Sequence, residues 1–138
     1  MKGRGIRFRG KVIHGLARGR TLGFPTANLE VDPAQVEALG HGVWAGWAVL
    51  PDGTRKTAVV NVGVRPTFSG QALSVEAHVL DFTGDLYGVE VALDLVAKVR
   101  EEQRFRSVAE LIAQIREDVE QARALLQGDR AEHNPTEV

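Results

Sequence analysis

VEVALDLVAKV, residues 89–99, alternates apolar and polar positions more cleanly than any other stretch of the chain. Val89, Val91, Leu93, Leu95, Ala97 and Val99 fall on one side of an extended backbone, the two-residue period of a half-buried β-strand. Working outward, Leu73, Val75, Ala77 and Val79 share one face of an earlier strand, and Glu76 and His78 project from the other. GVWAGWAVL, residues 42–50, is apolar on both faces but interrupted by Ala and Gly, as in a strand that bends tightly or meets another backbone closely. Pro51-Asp52-Gly53 forms a turn, and Thr57 to Val62 returns as the hairpin partner. Near the N-terminus, Ile6 and Phe8 alternate with Arg7 and Arg9, continuing toward Val12 and His14.

The period changes after residue 106. Val108, Leu111, Ile112, Ile115, Val119, Ala122 and Leu126 recur at steps of three and four and predict one amphipathic helix lying over a face or opening of the sheet. Ser107 with Glu110 reads as its capping box and Gly128 as its stop. Residues 129–138 then predict a loose polar tail after a single domain over residues 1–128. Five or six short strands followed by one helix predict a closed or nearly closed antiparallel barrel. Strands that do not alternate with helices argue against a doubly wound sheet.

The totals narrow the class. The chain has 138 residues, enough for one domain with a real core, and no cysteine, which excludes a disulfide framework and thiolate metal sites. No apolar run reaches the roughly 20 residues of a spanning helix, and the first ten residues lack a signal peptide's apolar stretch. A cytoplasmic protein is expected. The net charge is −1, yet Lys2, Arg4, Arg7, Arg9, Lys11, Arg18 and Arg20 all precede the first acidic residue, Glu30. That asymmetry suits an anionic partner, either a polyphosphate or a nucleic acid; a solvated basic strand accounts for it equally well.

GLARGRTLGFPTAN, residues 15–28, carries the densest chemistry. Gly15, Gly19 and Gly23 permit a backbone whose N–H groups converge on phosphate oxygens, and Arg18 and Arg20 add charge. Glycine-rich hairpins with no chemical role are also common, and no Walker pattern is present. Pro25 enforces an extended chain, so Thr26 and Asn28 point to one side. Their oxygens suit a magnesium ion that keeps phosphate and water ligands, or else they satisfy turn backbone groups. His14 and His41 lack the spacing of a metal cluster. Trp47 and Phe82 read as core, and Arg65-Pro66-Thr67 as a shaping loop.

The run GKVIHGLARGRTLGFPTANLEVD resembles the signature of riboflavin kinases, including the kinase half of bacterial bifunctional FAD synthetases. The likeness continues in order through GVWAGW, NVGVRPTF (61–68), VEAHVLDFTGDLYG (75–88) and VREEQRF (99–105). Trp44 departs from it, standing where the family more often has tyrosine. The resemblance implies a mainly β fold, a six-stranded antiparallel Greek-key barrel with a C-terminal α-helix. It implies transfer of the γ-phosphoryl group of ATP to the 5′-hydroxyl of riboflavin, giving FMN and ADP. It implies nucleotide binding by Gly15, Gly19, Arg20, Gly23, Thr26 and Asn28, with magnesium at Thr26 and Asn28. Glu76 becomes the catalytic carboxylate, and Arg100 and Glu102 become flavin-binding residues on a mobile segment. The expected partners are the small molecules ATP and riboflavin, with no nucleic acid and no membrane, and a monomer. Two alternatives are a kinase-domain fragment of a bifunctional FAD synthetase and a small nucleic-acid-binding barrel. Against the latter stand an aromatic content of 6% and no run of strand aromatics for base stacking.

Overall fold

The computed structural model describes residues 6–13, 26–82 and 84–132. Six strands form one closed sheet: β1 (Ile6–Ile13), β2 (Ala27–Glu30), β3 (Gly42–Val49), β4 (Arg55–Thr67), β5 (Gly70–Val79) and β6 (Glu90–Arg100). Around the barrel the order is β1-β2-β5-β4-β3-β6, with every pairing antiparallel. Strands β3, β4 and β5 form a meander, and β6 returns beside β3, which is the Greek-key connection. Closure leaves no unpaired sheet edge to cover.

Alternation decides the interior. Phe8 and Val12 from β1, Val60 and Val62 from β4, Val75 and Ala77 from β5, and Val91, Leu93 and Leu95 from β6 fill the barrel. Two basic residues of β1, Arg7 and Lys11, stand against acids on neighbouring strands. Arg7 donates from Nε and Nη2 to Asp94 at 2.6 and 2.7 Å, and Lys11 stands opposite Glu30 on one side and Glu90 on the other. Two of the N-terminal cations are thereby set against acids within the sheet.

Strand β3 behaves as its glycines suggested. At Gly46 an added Cβ would crowd the backbone of β6, with the Asp94 carbonyl carbon and Leu95 Cα both at 3.0 Å. The β3–β6 register shifts just before this point, between Ala45 and Gly46, and also between Val43 and Trp44. Past the shift, Val96 and Val99 both turn to the outside of the barrel, so the clean alternation of β6 does not persist to its end.

A short helix, α1 (Pro33–Val36), with Asp32 accepting from the Ala34 N–H, and a 3-10 turn (Glu37–Leu39) join β2 to β3. The long helix, α2 (Val108–Glu132), packs on the outer surface of β3, β4 and β6. Ala122 and Leu126 meet Ala45 and Trp47 there, with Val59, Val96 and Val99 around them. Trp47 is core, as expected, with the Arg55 guanidinium 4.2 Å over its ring, whereas Phe82 is half-buried in the turn after β5. The Glu110 N–H donates to Ser107 Oγ, and the Glu110 carboxylate accepts from the Arg106 N–H, one residue before the expected partner.

Two expectations are corrected. Gly128 does not stop the helix, which continues to Glu132; a glycine inside a helix costs only about 1 kcal/mol, and good helix formers follow it. Arg65-Pro66-Thr67 is not a loop but the end of β4, paired with Ala72, Gln71 and Gly70. Residues 133–138 of the expected tail lie outside the described residues.

Candidate active site

The strand register lines up residues that are far apart in the chain. Asn28 stands opposite Glu76, Glu76 opposite Asn61, Asn61 opposite Val43, and Val43 opposite Arg100. Directly opposed residues project from the same face of a sheet. The intervening Val60, Val75 and Ala77 fill the interior, so this row faces out. From Glu76 on β5 to Arg100 on β6 is three strand spacings, a backbone separation of ~14 Å along the sheet.

Over the row lies a cleft of ≈ 680 Å³. Its floor includes Asn61, Glu76 and His78; one wall is the segment following β6, residues 102–107, and its roof is the first half of α2. This resolves why the apolar stripe of α2 is longer than its contact with the barrel. Ala122 and Leu126 pack on the sheet, while Val108, Leu111 and Ile115 line the cleft. Val108 is 51% exposed.

A second, smaller cavity of ≈ 140 Å³ adjoins it and is more polar, lined by Asn28, Ser74 and Gly63. The two share Asn61, Glu76 and Glu102. Glu76 therefore sits in the wall common to a small polar cavity and a larger cleft with an apolar roof. Thr26 opens onto the larger one, and its Oγ1 is buried with no hydrogen-bond partner among the described residues. A buried, unsatisfied hydroxyl costs free energy unless something bonds to it. That fits an oxygen ligand for a cation or phosphate group.

The far end of the cleft is held by an ion pair. Arg100 donates from Nε and Nη2 to the two carboxylate oxygens of Asp118 at 2.8 and 2.9 Å, and from Nη1 to the Glu101 carbonyl at 3.1 Å. Gln114, one turn earlier on α2, donates to Asp118 at 3.0 Å, and the Phe105 ring lies 5.7 Å from the guanidinium. Glu102 lies across β4 where an added Cβ on Gly63 would fall, and its Oε1 is 3.7 Å from His41 Nδ1. His78 also borders a groove on the far side of α2. Burial, and then the positive charge of Arg123, lowers its pKa below the ordinary 6.5, so the ring is neutral at pH 7.

Of the expected site residues, Thr26, Asn28, Glu76, Arg100 and Glu102 border these two adjoining cavities. Gly15, Gly19, Arg20 and Gly23 lie outside the described residues, as do Arg18 and Pro25. Asn61, Phe105 and Asp118 were not anticipated. Asp118 left a trace: Leu111, Ile115, Asp118 and Ala122 continue the three-and-four spacing, so an acid interrupts an apolar stripe. Among the described residues no group of three or more His, Cys, Asp or Glu could hold a metal, so any cation here would depend on ligands beyond such a cluster. No helix among them is long and apolar enough to cross a membrane.

A closed Greek-key barrel with a helix packed on its outside, and an outer cleft that joins a carboxylate, a polar cavity and an apolar roof, defines the class of the fold and a cleft sized for a small molecule. The particular family follows from comparison: residues 2–126 match the family described as flavokinase, riboflavin kinase, and the chain belongs to it. A bifunctional riboflavin kinase/FMN adenylyltransferase of Haemophilus influenzae is 41% identical over 122 residues, covering 88% of this chain and 39% of the relative. The chain thus spans well under half the length of the curated relatives it matches. Among solved structures, riboflavin kinase from Trypanosoma brucei superposes with a TM-score of 0.69 at 28% identity, over 96% of this chain and 88% of that one. A Streptococcus pneumoniae structure described as a macrolide-efflux protein superposes at 0.75 with 33% identity, over 86% of this chain and 38% of that one.

Proposed function

We propose that the chain is an ATP-dependent riboflavin kinase, transferring the γ-phosphoryl group of ATP to the ribityl 5′-hydroxyl to give FMN and ADP. The observation that carries this reading is the position of Glu76. It borders a small polar cavity on one side, next to Asn28, and, on the other, a cleft whose apolar roof suits a planar ring. The ~14 Å of sheet between Glu76 and Arg100 accommodates a ribityl chain followed by a tricyclic ring. In this reading the hydroxyl lies at Glu76 and the ring lies toward Leu111, Ile115 and Arg100.

Phosphoryl transfer proceeds through a loose transition state, so alignment and charge neutralisation dominate. The bond from the 5′-oxygen to the γ-phosphorus forms as the bond to the bridging oxygen of ADP breaks. Glu76 orients the hydroxyl and takes its proton, and a carboxylate of ordinary basicity suffices if the proton leaves late. Asn61 and Asn28, in line with Glu76, supply polar contacts along the path of the ribityl and phosphate groups. The loop of Gly15, Gly19, Arg20 and Gly23 grips the nucleotide. Thr26 and Asn28 would hold a magnesium ion carried with the nucleotide, which when bound offsets phosphate charge. The orphaned Thr26 hydroxyl supports that assignment.

Arg7 and Lys11 stand against Asp94, Glu30 and Glu90, which weakens the charge argument for a nucleic-acid partner. A monomer acting in the cytoplasm on small molecules completes the reading. Incubation with riboflavin and magnesium ATP, followed by chromatography, should yield FMN. Absence of product across a range of metals and nucleoside triphosphates refutes the reading. Because the curated relatives are named as bifunctional, FAD is the second product to look for. FMN alone is expected from these residues, since the described ones form a single barrel with its packed helix.

A further inference from the structure

Asp118 is the one residue of polar or charged type that is buried among the described residues, at 3% exposure. It stands on the apolar stripe of α2, where a hydrophobic side chain would continue the pattern. A buried ion pair is weak evidence of stabilisation, because desolvation offsets much of the attraction and an apolar pair of similar volume does as well. Its geometry is more informative than its energy. The carboxylate takes the Nε and Nη2 side of Arg100, and Gln114 fixes the carboxylate from behind. Of the five N–H groups of arginine, three are used, on Asp118 twice and on the Glu101 carbonyl once. The other two make no hydrogen bond among the described residues. Arg100 and Asp118 both border the cleft.

We propose that Asp118 is a positioning residue for the flavin ring. It cancels the charge of Arg100, so that the arginine offers a neutral ring a rigid two-pronged donor and not a free cation. Through Arg100, the Glu101 carbonyl and Phe105, it also seats the 102–107 wall of the cleft. A charge-cancelled arginine suits the carbonyl edge of an uncharged heterocycle, and suits a phosphate poorly. This inference rests on the flavin kinase reading and deepens it.

The test is Asp118→Asn in the full chain, with thermal melting, steady-state kinetics for both substrates, and direct riboflavin binding by fluorescence quenching. The expected result is a rise in riboflavin KM and Kd of about tenfold or more, with the KM for ATP within about twofold of the parent. A merely structural role would shift both substrates together. A folded variant with unchanged riboflavin KM and Kd overturns the proposal. If Asp118→Asn does not fold, the Arg100→Met/Asp118→Leu double variant removes both charges and leaves neither orphaned. It should fold and lose riboflavin affinity with the ATP KM preserved; parent-like riboflavin affinity, or failure of this variant to fold as well, overturns the proposal. A parent protein that neither binds riboflavin nor forms FMN refutes the underlying reading instead.

Discussion

Two glycine-to-alanine substitutions separate what the fold needs from what the cleft needs. At Gly63 an added Cβ falls on the carboxylate of Glu102, with Cδ at 3.1 Å and the second oxygen at 3.6 Å. The Glu102 side chain is 44% exposed and is the flexible party, so it swings aside. The displaced contact with His41, 3.7 Å long at the surface, is worth no more than about 1 kcal/mol. Stiffening the unfolded chain returns about 0.4–1 kcal/mol, so Gly63→Ala should leave stability within about 1 kcal/mol of the parent. At Gly46 the obstacle is the β6 backbone itself, which cannot swing, and overpacking of this kind costs about 1–3 kcal/mol or more. At roughly 4 °C per kcal/mol, Gly46→Ala should melt some 4–12 °C low while Gly63→Ala stays within about 4 °C. Because Glu102 borders both cavities, Gly63→Ala should nevertheless raise riboflavin KM by about five- to tenfold, near 1 kcal/mol of binding. Differential scanning fluorimetry beside riboflavin titrations at saturating ATP reads both quantities. A Gly63→Ala protein that melts as low as Gly46→Ala, or one that keeps the parent KM for riboflavin, refutes the reasoning.

Glu76→Gln keeps the shape of the shared wall and removes the proton acceptor, so turnover should fall by about 10²–10⁴ while calorimetric ATP affinity stays near the parent's; near-normal turnover removes Glu76 from the base role. His78→Gln tests a proton linkage. The folded pKa of His78 is lowered by burial, so the unfolded state binds the proton more readily, and this contribution is complete above about pH 6.5 and lost as pH falls through the folded value. The parent should therefore lose more stability than His78→Gln between pH 7 and pH 5 in urea titrations, and parallel pH curves would contradict the assignment. Leu111→Ala trims the cleft roof at a half-buried position; riboflavin KM should rise several-fold with a melting loss well below that of Leu126→Ala, whose buried side chain carries a cost of about 2–5 kcal/mol. Equal melting losses for the two leucines would mean the roof is ordinary core.

Much of the barrel was legible because alternation reports directly which side of a strand is buried, and Val75 and Ala77 against Glu76 is as plain in sequence as in space. The limits of that signal are physical. Periodicity identifies a face without saying what covers it, so the stripe of α2 read as one packing surface although Ala122 and Leu126 meet the sheet and Leu111 and Ile115 roof a cleft. It also breaks where register breaks. The shift beside Gly46 sends Val96 outward with Val99, against the strict alternation that placed only odd positions of β6 together. Asn61 was invisible for a different reason: its significance comes from standing opposite both Glu76 and Val43, and pairing between strands is not a local property. Asp118 is the instructive case. An acid on an apolar stripe violates the local rule, and in a folded chain such a violation persists where another requirement outweighs it. The partner that supplies the requirement, Arg100, sits at the other end of the segment that walls the cleft. A sequence reading that treats each interruption of a helical stripe as a question about its partner would have reached this end of the site from α2 alone.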